Sequence, residues 1–476
     1  MFIVAGFLLT LLFIGVVVLD GDLLSPTVLL LIAGFVCSAV CLMNYTNWNL
    51  GTFNIQTVLI IITGTLCCAI PSTVICARKK TKASEGMVTD HDSSVRCVYK
   101  ISNGFTLAVI IVDIAIAYIY YREIVKIGEI GRSLYAIKTY PTLWYVHNID
   151  TGVSINPIVS ALADLSYIFG YVYLYLFIVN VAAQHSIKNN LLSCGPIVIY
   201  AVQSVMFGGR TGLLQIALAA FVLTYIVLRS GYQSENCAKV NASFIRKGIP
   251  MILGVLVAFF LLNNISGRVS TGMSWSYYIS VYLGSGLKNL DSFIVNNNSI
   301  NTSLFGGETF GGIYTFLKRF GLCDGYSGVS LPYEQHINGL FLGNTYTCLR
   351  RYYSDFGPCG ILIMPAIVGV VIGLVYKSIR AWDNKRESLQ NCLLAFKLIA
   401  YSILSYALLL FYIEDFFFLN VVSVNYLLRF LGIYIALKVM MSFGFLDVDN
   451  TKCTPLPRLL IFNNGKRSSL REVRVG

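Results

Sequence analysis

Charge is what this sequence has least of. Only 12% of its 476 residues are Asp, Glu, Lys or Arg, against roughly 25% in a soluble globular domain. A chain so poor in charge has no polar face to offer water, so the bilayer is expected to be its solvent. Paired CxxC sets are missing among the thirteen cysteines, which disfavours a zinc site. Cys37, Cys41, Cys67, Cys68, Cys76 and Cys194 lie in or beside apolar runs, where Cys behaves as a small hydrophobe. Cys323 and Cys348 fall in one predicted outside loop, where a disulfide and two free thiols are both open. Clustered carboxylates are missing too. The longest non-spanning stretch has only Asp291, Glu308, Asp324, Glu334 and Asp355, well separated in sequence, so neither a divalent metal nor another cofactor is expected. No repeat or low-complexity segment divides the chain, and residues 1–476 read as one integral membrane domain.

What is present is a succession of apolar runs near the roughly 20 residues that a spanning helix needs. They are Phe2–Leu19, Ser25–Met43, Thr57–Ala77, Phe105–Tyr121, Asn156–Ala183, Leu191–Phe207, Thr211–Leu228, Ile249–Asn263, Gly357–Tyr376, Asn391–Ile413 and Val421–Met441. Phe2–Leu19 has no basic residues ahead of it and no small-residue cleavage site, so it reads as a spanning helix rather than a leader. The predicted fold is an all-α polytopic membrane protein with about eleven transmembrane helices.

Basic residues orient it. Lys and Arg concentrate in cytoplasmic connections. Four groups stand out: Arg78, Lys79, Lys80, Lys82, Arg96 and Lys100; Arg229, Lys239, Arg246 and Lys247; Lys377, Arg380, Lys385 and Arg386; and a tail with Lys452, Arg458, Lys466, Arg467, Arg471 and Arg474. Eleven crossings put all four on one side, the cytoplasm. The N-terminus is then outside and the C-terminus inside, and the net charge of +12 is read as topology rather than nucleic-acid binding. Two long outside segments follow, from Arg122 to about Ile155 and from 264 to 356. The second, between helices eight and nine, is rich in aromatics (Trp275, Tyr277, Tyr278, Tyr282, Phe310, Tyr314, Phe316). That composition argues for an ordered lid of short helices.

Arginines on the outer side run against the topological bias. Arg210 sits in the turn Gly208-Gly209-Arg210-Thr211-Gly212, where small residues let a ligand approach and a guanidinium fork can grip a phosphate. A snorkelling helix-end arginine is the competing reading. Arg268 follows helix eight. Arg350 and Arg351 precede helix nine in Arg350-Arg351-Tyr352-Tyr353-Ser354-Asp355-Phe356-Gly357. If that stretch is helical, Arg351 and Asp355 are four apart and suited to pair, which leaves Arg350 freer for a ligand. Candidate general bases are His336, Glu334 and Asp355. Tyr333, Tyr346, Tyr352 and Tyr353 suit stacking on sugar rings, though Tyr is also the usual interfacial residue. Asp113, Asp164 and Arg429 fall inside spanning runs, where a structural ion pair is favoured over a proton relay.

The turn Gly208 to Leu214 resembles the matching turn of bacterial O-antigen polymerases, the oligosaccharide repeat-unit polymerases. So do Gly343-Asn344-Thr345-Tyr346-Thr347, the Leu349-Arg350-Arg351-Tyr352-Tyr353 and Asp355-Phe356-Gly357 stretches, and the Ser25-Pro26 start of helix two. The likeness is specific only in these short stretches. It implies a multi-spanning, metal-independent glycosyltransferase of the bacterial inner membrane. Such an enzyme moves a growing glycan from undecaprenyl pyrophosphate onto a lipid-linked repeat unit on the periplasmic side, and a chain-length regulator is a possible partner. In that reading Arg210, Arg268, Arg350 and Arg351 bind pyrophosphate, Tyr346, Tyr352 and Tyr353 bind sugar, and His336, Glu334 or Asp355 is the base. An O-antigen ligase and a lipid-linked oligosaccharide flippase are the competing readings.

Overall fold

The computed structural model describes residues 1–77, 95–127, 155–184, 187–206, 211–229, 274–296, 304–323, 341–383 and 392–455. It also describes 241, 242, 244–246, 248, 254, 326, 331, 334 and 335. Among these, eight helices are long and apolar enough to cross a membrane. The polytopic, mainly helical architecture holds; two small sheets are additions that hydropathy did not announce.

Three helices open the chain: α1 (Phe2–Val18), α2 (Pro26–Met43) and α3 (Ile55–Cys76). Strand β1 (Val95–Ile101) leads into α4 (Asn103–Ile127), and α5 (Pro157–Gln184) follows. The expected sixth span contains a 3-10 turn over Lys188–Ser193 and then α6 (Cys194–Met206), which runs to the end of that described stretch. Helix α7 (Thr211–Arg229) comes next. The expected span Ile249–Asn263 lies outside the described residues, apart from Gly254, as does most of the segment from Arg122 to Ile155.

Within the long loop stand α8 (Trp275–Asn296), α9 (Gly311–Arg319) and a hairpin of β2 (Glu334–Gln335) with β3 (Phe341–Gly343). Helix α10 covers Cys348–Asp383, and α11 (Cys392–Leu409), a π turn at Phe417–Val421, α12 (Val424–Ser442) and β4 (Leu446–Pro455) complete the chain.

Helix α10 is two helices joined at Gly357, whose φ of 58° and ψ of −145° belong to a region that glycine tolerates. Pro358 restarts the chain, as proline does at a first helical position. The first limb does not lie on the outer surface as expected. Leu349 packs on Gly64, midway along α3, whereas the Tyr353 hydroxyl meets the Gln56 amide in the first turn of α3. The limb therefore climbs from inside the bundle to the start of α3. After the kink the second limb descends alongside α3. Gly369 approaches so closely that a Cβ there would lie 2.2 Å from the Cys68 carbonyl oxygen, and the Arg380 guanidinium reaches the Cys76 carbonyl.

The bundle has two distinct ends. At one, β1 pairs antiparallel with β4, so the chain after α3 and the chain after α12 emerge together and an even number of crossings separates them. The α1–α2 turn lies at the end where Arg229 and Arg380 finish their helices. There buried Asp22 pairs with Arg229 at 2.6 Å and accepts from the Tyr376 hydroxyl at 2.5 Å. The Tyr225 hydroxyl donates to the Asn241 amide oxygen, and the Asn241 amide nitrogen donates to the Gly21 carbonyl. Tyr376→Phe should remove one bond to a buried carboxylate and cost about 1.5–3 kcal/mol. Thermal unfolding of the purified variant in detergent measures this; an unchanged midpoint would mean that Tyr376 adds nothing to the latch. The opposite, loop end carries α8, α9 and the first limb of α10.

Candidate active site at the loop end of the bundle

The first limb of α10 delivers its polar side chains into protein rather than into solvent. Arg350 is fully buried and bonds Glu308 at 2.5 Å. Its guanidinium lies 4.6 Å from the Phe293 ring centre and 4.8 Å from that of Tyr346. The Ser354 hydroxyl donates to the other Glu308 oxygen at 2.6 Å, and Arg351 donates to the Glu308 carbonyl at 3.1 Å. Asp355 accepts from the Glu308 and Thr309 amides at 3.2 and 2.6 Å. Four residues of the motif thus hold one turn of the long loop, 304–310, down on the bundle.

These positions revise several sequence expectations. Arg350 is occupied by Glu308 rather than free for a ligand. No Arg351–Asp355 ion pair forms, because both Asp355 oxygens are taken by backbone amides and Arg351 turns to a carbonyl. Tyr346 and Tyr352 are buried and present no ring face to a sugar; the Tyr352 hydroxyl donates to Asp415 at 3.0 Å. Tyr353 alone of the three remains partly exposed. Cys323 and Cys348 are separate thiols, not a disulfide. The side chains of Arg210, Arg268, His336, Tyr333 and Glu334 lie outside the described residues, although the Glu334 backbone pairs with Gly343 in the β2–β3 hairpin. Arg429 does pair with Asp164, at 2.7 Å.

Two acids missed in the sequence complete the cluster. Glu414 and Asp415 follow α11, in the chain that turns back toward α12. Asp415 is buried and accepts from the Tyr352 hydroxyl and the Phe418 amide. Burial pushes its carboxyl up to about 7, against the pull of the Phe418 amide, Arg351 and the Tyr352 hydroxyl. Glu414 is solvent-exposed, yet surrounding protein raises its carboxyl above the ordinary range while Arg351 pulls it down. The other described loop-end carboxylates are already engaged: Glu308 by Arg350 and Ser354, Asp355 by two amides, and Asp291 by the Asn54 amide, the Thr57 hydroxyl and Lys288. Glu414 has no comparable partner among the described residues. The one signal in the sequence was an adjacent acid pair between apolar runs, Ile413-Glu414-Asp415-Phe416.

Chemically, the cluster offers a scaffold of ion pairs and capped amides with one exposed carboxylate beside an arginine. No group of three or more His, Cys, Asp or Glu side chains suited to a metal occurs among the described residues. No family model, curated protein or solved structure matches the chain.

Proposed function

We propose that this chain is a metal-independent glycosyltransferase of the O-antigen polymerase type. It elongates a glycan on undecaprenyl pyrophosphate at the periplasmic face of a bacterial inner membrane. The supporting observation is that Leu349–Asp355, the stretch that carries the family resemblance, forms the wall of the loop-end cluster next to Glu414. The basic segments at the other end fit the cytoplasm, which leaves the N-terminus periplasmic and the C-terminus cytoplasmic.

In the reaction, Glu414 takes the proton of the acceptor hydroxyl. The hydroxyl oxygen bonds to the donor's anomeric carbon as the bond from that carbon to pyrophosphate breaks, and undecaprenyl pyrophosphate leaves with the electron pair. One displacement inverts the carbon. Arg351, with Arg210 and Arg268 from the sequence reading, offsets the charge growing on the leaving group. Arg350 is assigned to the scaffold instead. A strain lacking the chain should carry lipopolysaccharide capped with a single repeat unit. Bare core, with repeat-unit synthesis and export intact, would favour a ligase and reject the polymerase.

A further inference from the structure

A second polar cluster lies between α5, α6, α7 and α12, separate from the Glu308–Arg350 scaffold. Arg429 is the sixth residue of α12 and Asp164 the eighth of α5, so both stand about 10 Å or less from the loop-end starts of their helices. The Nε and Nη2 of Arg429 both donate to one oxygen of Asp164, at 2.8 and 2.7 Å. Its guanidinium lies 4.5 Å from the Tyr167 ring centre and 4.8 Å from that of Tyr426. One carboxylate and two rings fix the group, and the Tyr426 hydroxyl bonds it as well. The pair is partly open, with side-chain exposures of 21% for Arg429 and 27% for Asp164. Leu427, Leu428 and Leu431 on the same helix are more than half exposed, as lipid-facing residues are.

Two glutamines extend the cluster inward. The Tyr426 hydroxyl donates to the Gln215 carbonyl oxygen at 3.3 Å, while the buried Gln215 amide nitrogen has no partner. Gln203 is 0% exposed and neither of its amide atoms is bonded. It stands one turn beyond Tyr200 on α6, and the Tyr200 ring packs 5.4 Å from that of Tyr167. A structural ion pair accounts for Arg429 and Asp164 but not for the unbonded Gln203 amide and the unpartnered Gln215 nitrogen, which are costly in a bundle. The unmet buried groups are two donors, Gln203 Nε2 and Gln215 Nε2, and one acceptor, Gln203 Oε1, beside the Arg429 guanidinium. A phosphate group supplies several acceptor oxygens and suits a pre-oriented guanidinium.

We propose that Arg429, Gln203 and Gln215 form a binding site for the phosphate of a membrane lipid, entered between α5 and α12. The site rests on this geometry rather than on the transferase reading, and lipid binding and polymer synthesis fail separately. The test uses the full-length protein in phosphatidylcholine nanodiscs. It is titrated with a polyprenyl monophosphate, with phosphatidylglycerol and with inorganic phosphate, and native mass spectrometry reads bound ligand. At least one of the two lipids should bind in preference to inorganic phosphate. Gln203→Leu and Arg429→Lys should each weaken that binding by about tenfold or more. Gln203→Leu should keep or raise thermal stability, because it replaces an unbonded amide with an apolar group of similar size. If Arg429→Lys fails to fold, Gln203→Leu decides alone. Unchanged affinity in a folded Gln203→Leu protein would overturn the site. Inorganic phosphate binding as well as either lipid, or no lipid retained by the wild type, would overturn the lipid assignment.

Discussion

Glu308→Ala should destabilise the folded protein by about 3–5 kcal/mol, the cost of removing one partner of a buried ion pair. Arg350 would keep a charge with no route to water. Its Nε and Nη2 already lack hydrogen-bond partners, and the Phe293 and Tyr346 rings offset only part of the loss of Glu308. Cation–π contacts contribute about 2 kcal/mol even when desolvated. The turn 304–310 would also lose the Ser354 bond, so the fault would spread to the loop. Whole-protein stability is typically about 5–15 kcal/mol, and a loss of this size should show as poor yield and a large fall in the thermal midpoint. The double variant Glu308→Leu with Arg350→Met removes both charges and should recover most of the loss, as buried pairs replaced by apolar residues commonly do. Polymer made by that double variant would establish that Arg350 is structural. A Glu308→Ala protein with an unchanged midpoint would show that the pair contributes little.

Hydropathy reported directly on the elements that meet lipid. Ser25–Met43 against Pro26–Met43, and Thr211–Leu228 against Thr211–Arg229, differ by one residue at an end, because a spanning helix must be apolar throughout its length. It said little about backbone buried in protein rather than lipid. The first limb of α10 carries two arginines, two tyrosines and an aspartate, a composition that suits a surface loop. Its inward course depends on Leu349 finding Gly64, 285 positions earlier in the chain. The Glu308–Arg350 pair spans 42 positions with no local pattern to announce it. Strands β1 and β4 lie far apart in the sequence, and each needs the other to form a ladder. The motif residues stand out by type, but their roles depend on these distant partners: Asp355 suits a base by type, yet its oxygens hold two amides from 308 and 309.

Of the carboxylates at the loop end, Glu414 is the one whose loss should affect chemistry more than folding. Its side chain is exposed, so Glu414→Gln removes no buried ion pair and should leave the thermal midpoint near that of the wild type. Transfer should nevertheless fall by about 10²–10⁴-fold, the usual contribution of a positioned general base, and the lipopolysaccharide ladder should collapse to a single repeat. A base acts only when deprotonated. Activity should therefore decline along an acidic limb as the Glu414 carboxylate takes up a proton. In Glu414→Gln the residual activity should lose that limb. Glu414→Asp keeps the carboxyl but retracts it by one methylene, and should restore part of the rate together with the limb. These readouts separate proton transfer from a merely structural role, because a structural glutamate would not impose its own ionisation on kcat/KM. A full ladder from Glu414→Gln at wild-type protein level, with the acidic limb still present, would dismiss Glu414 and return the base to His336 or Glu334.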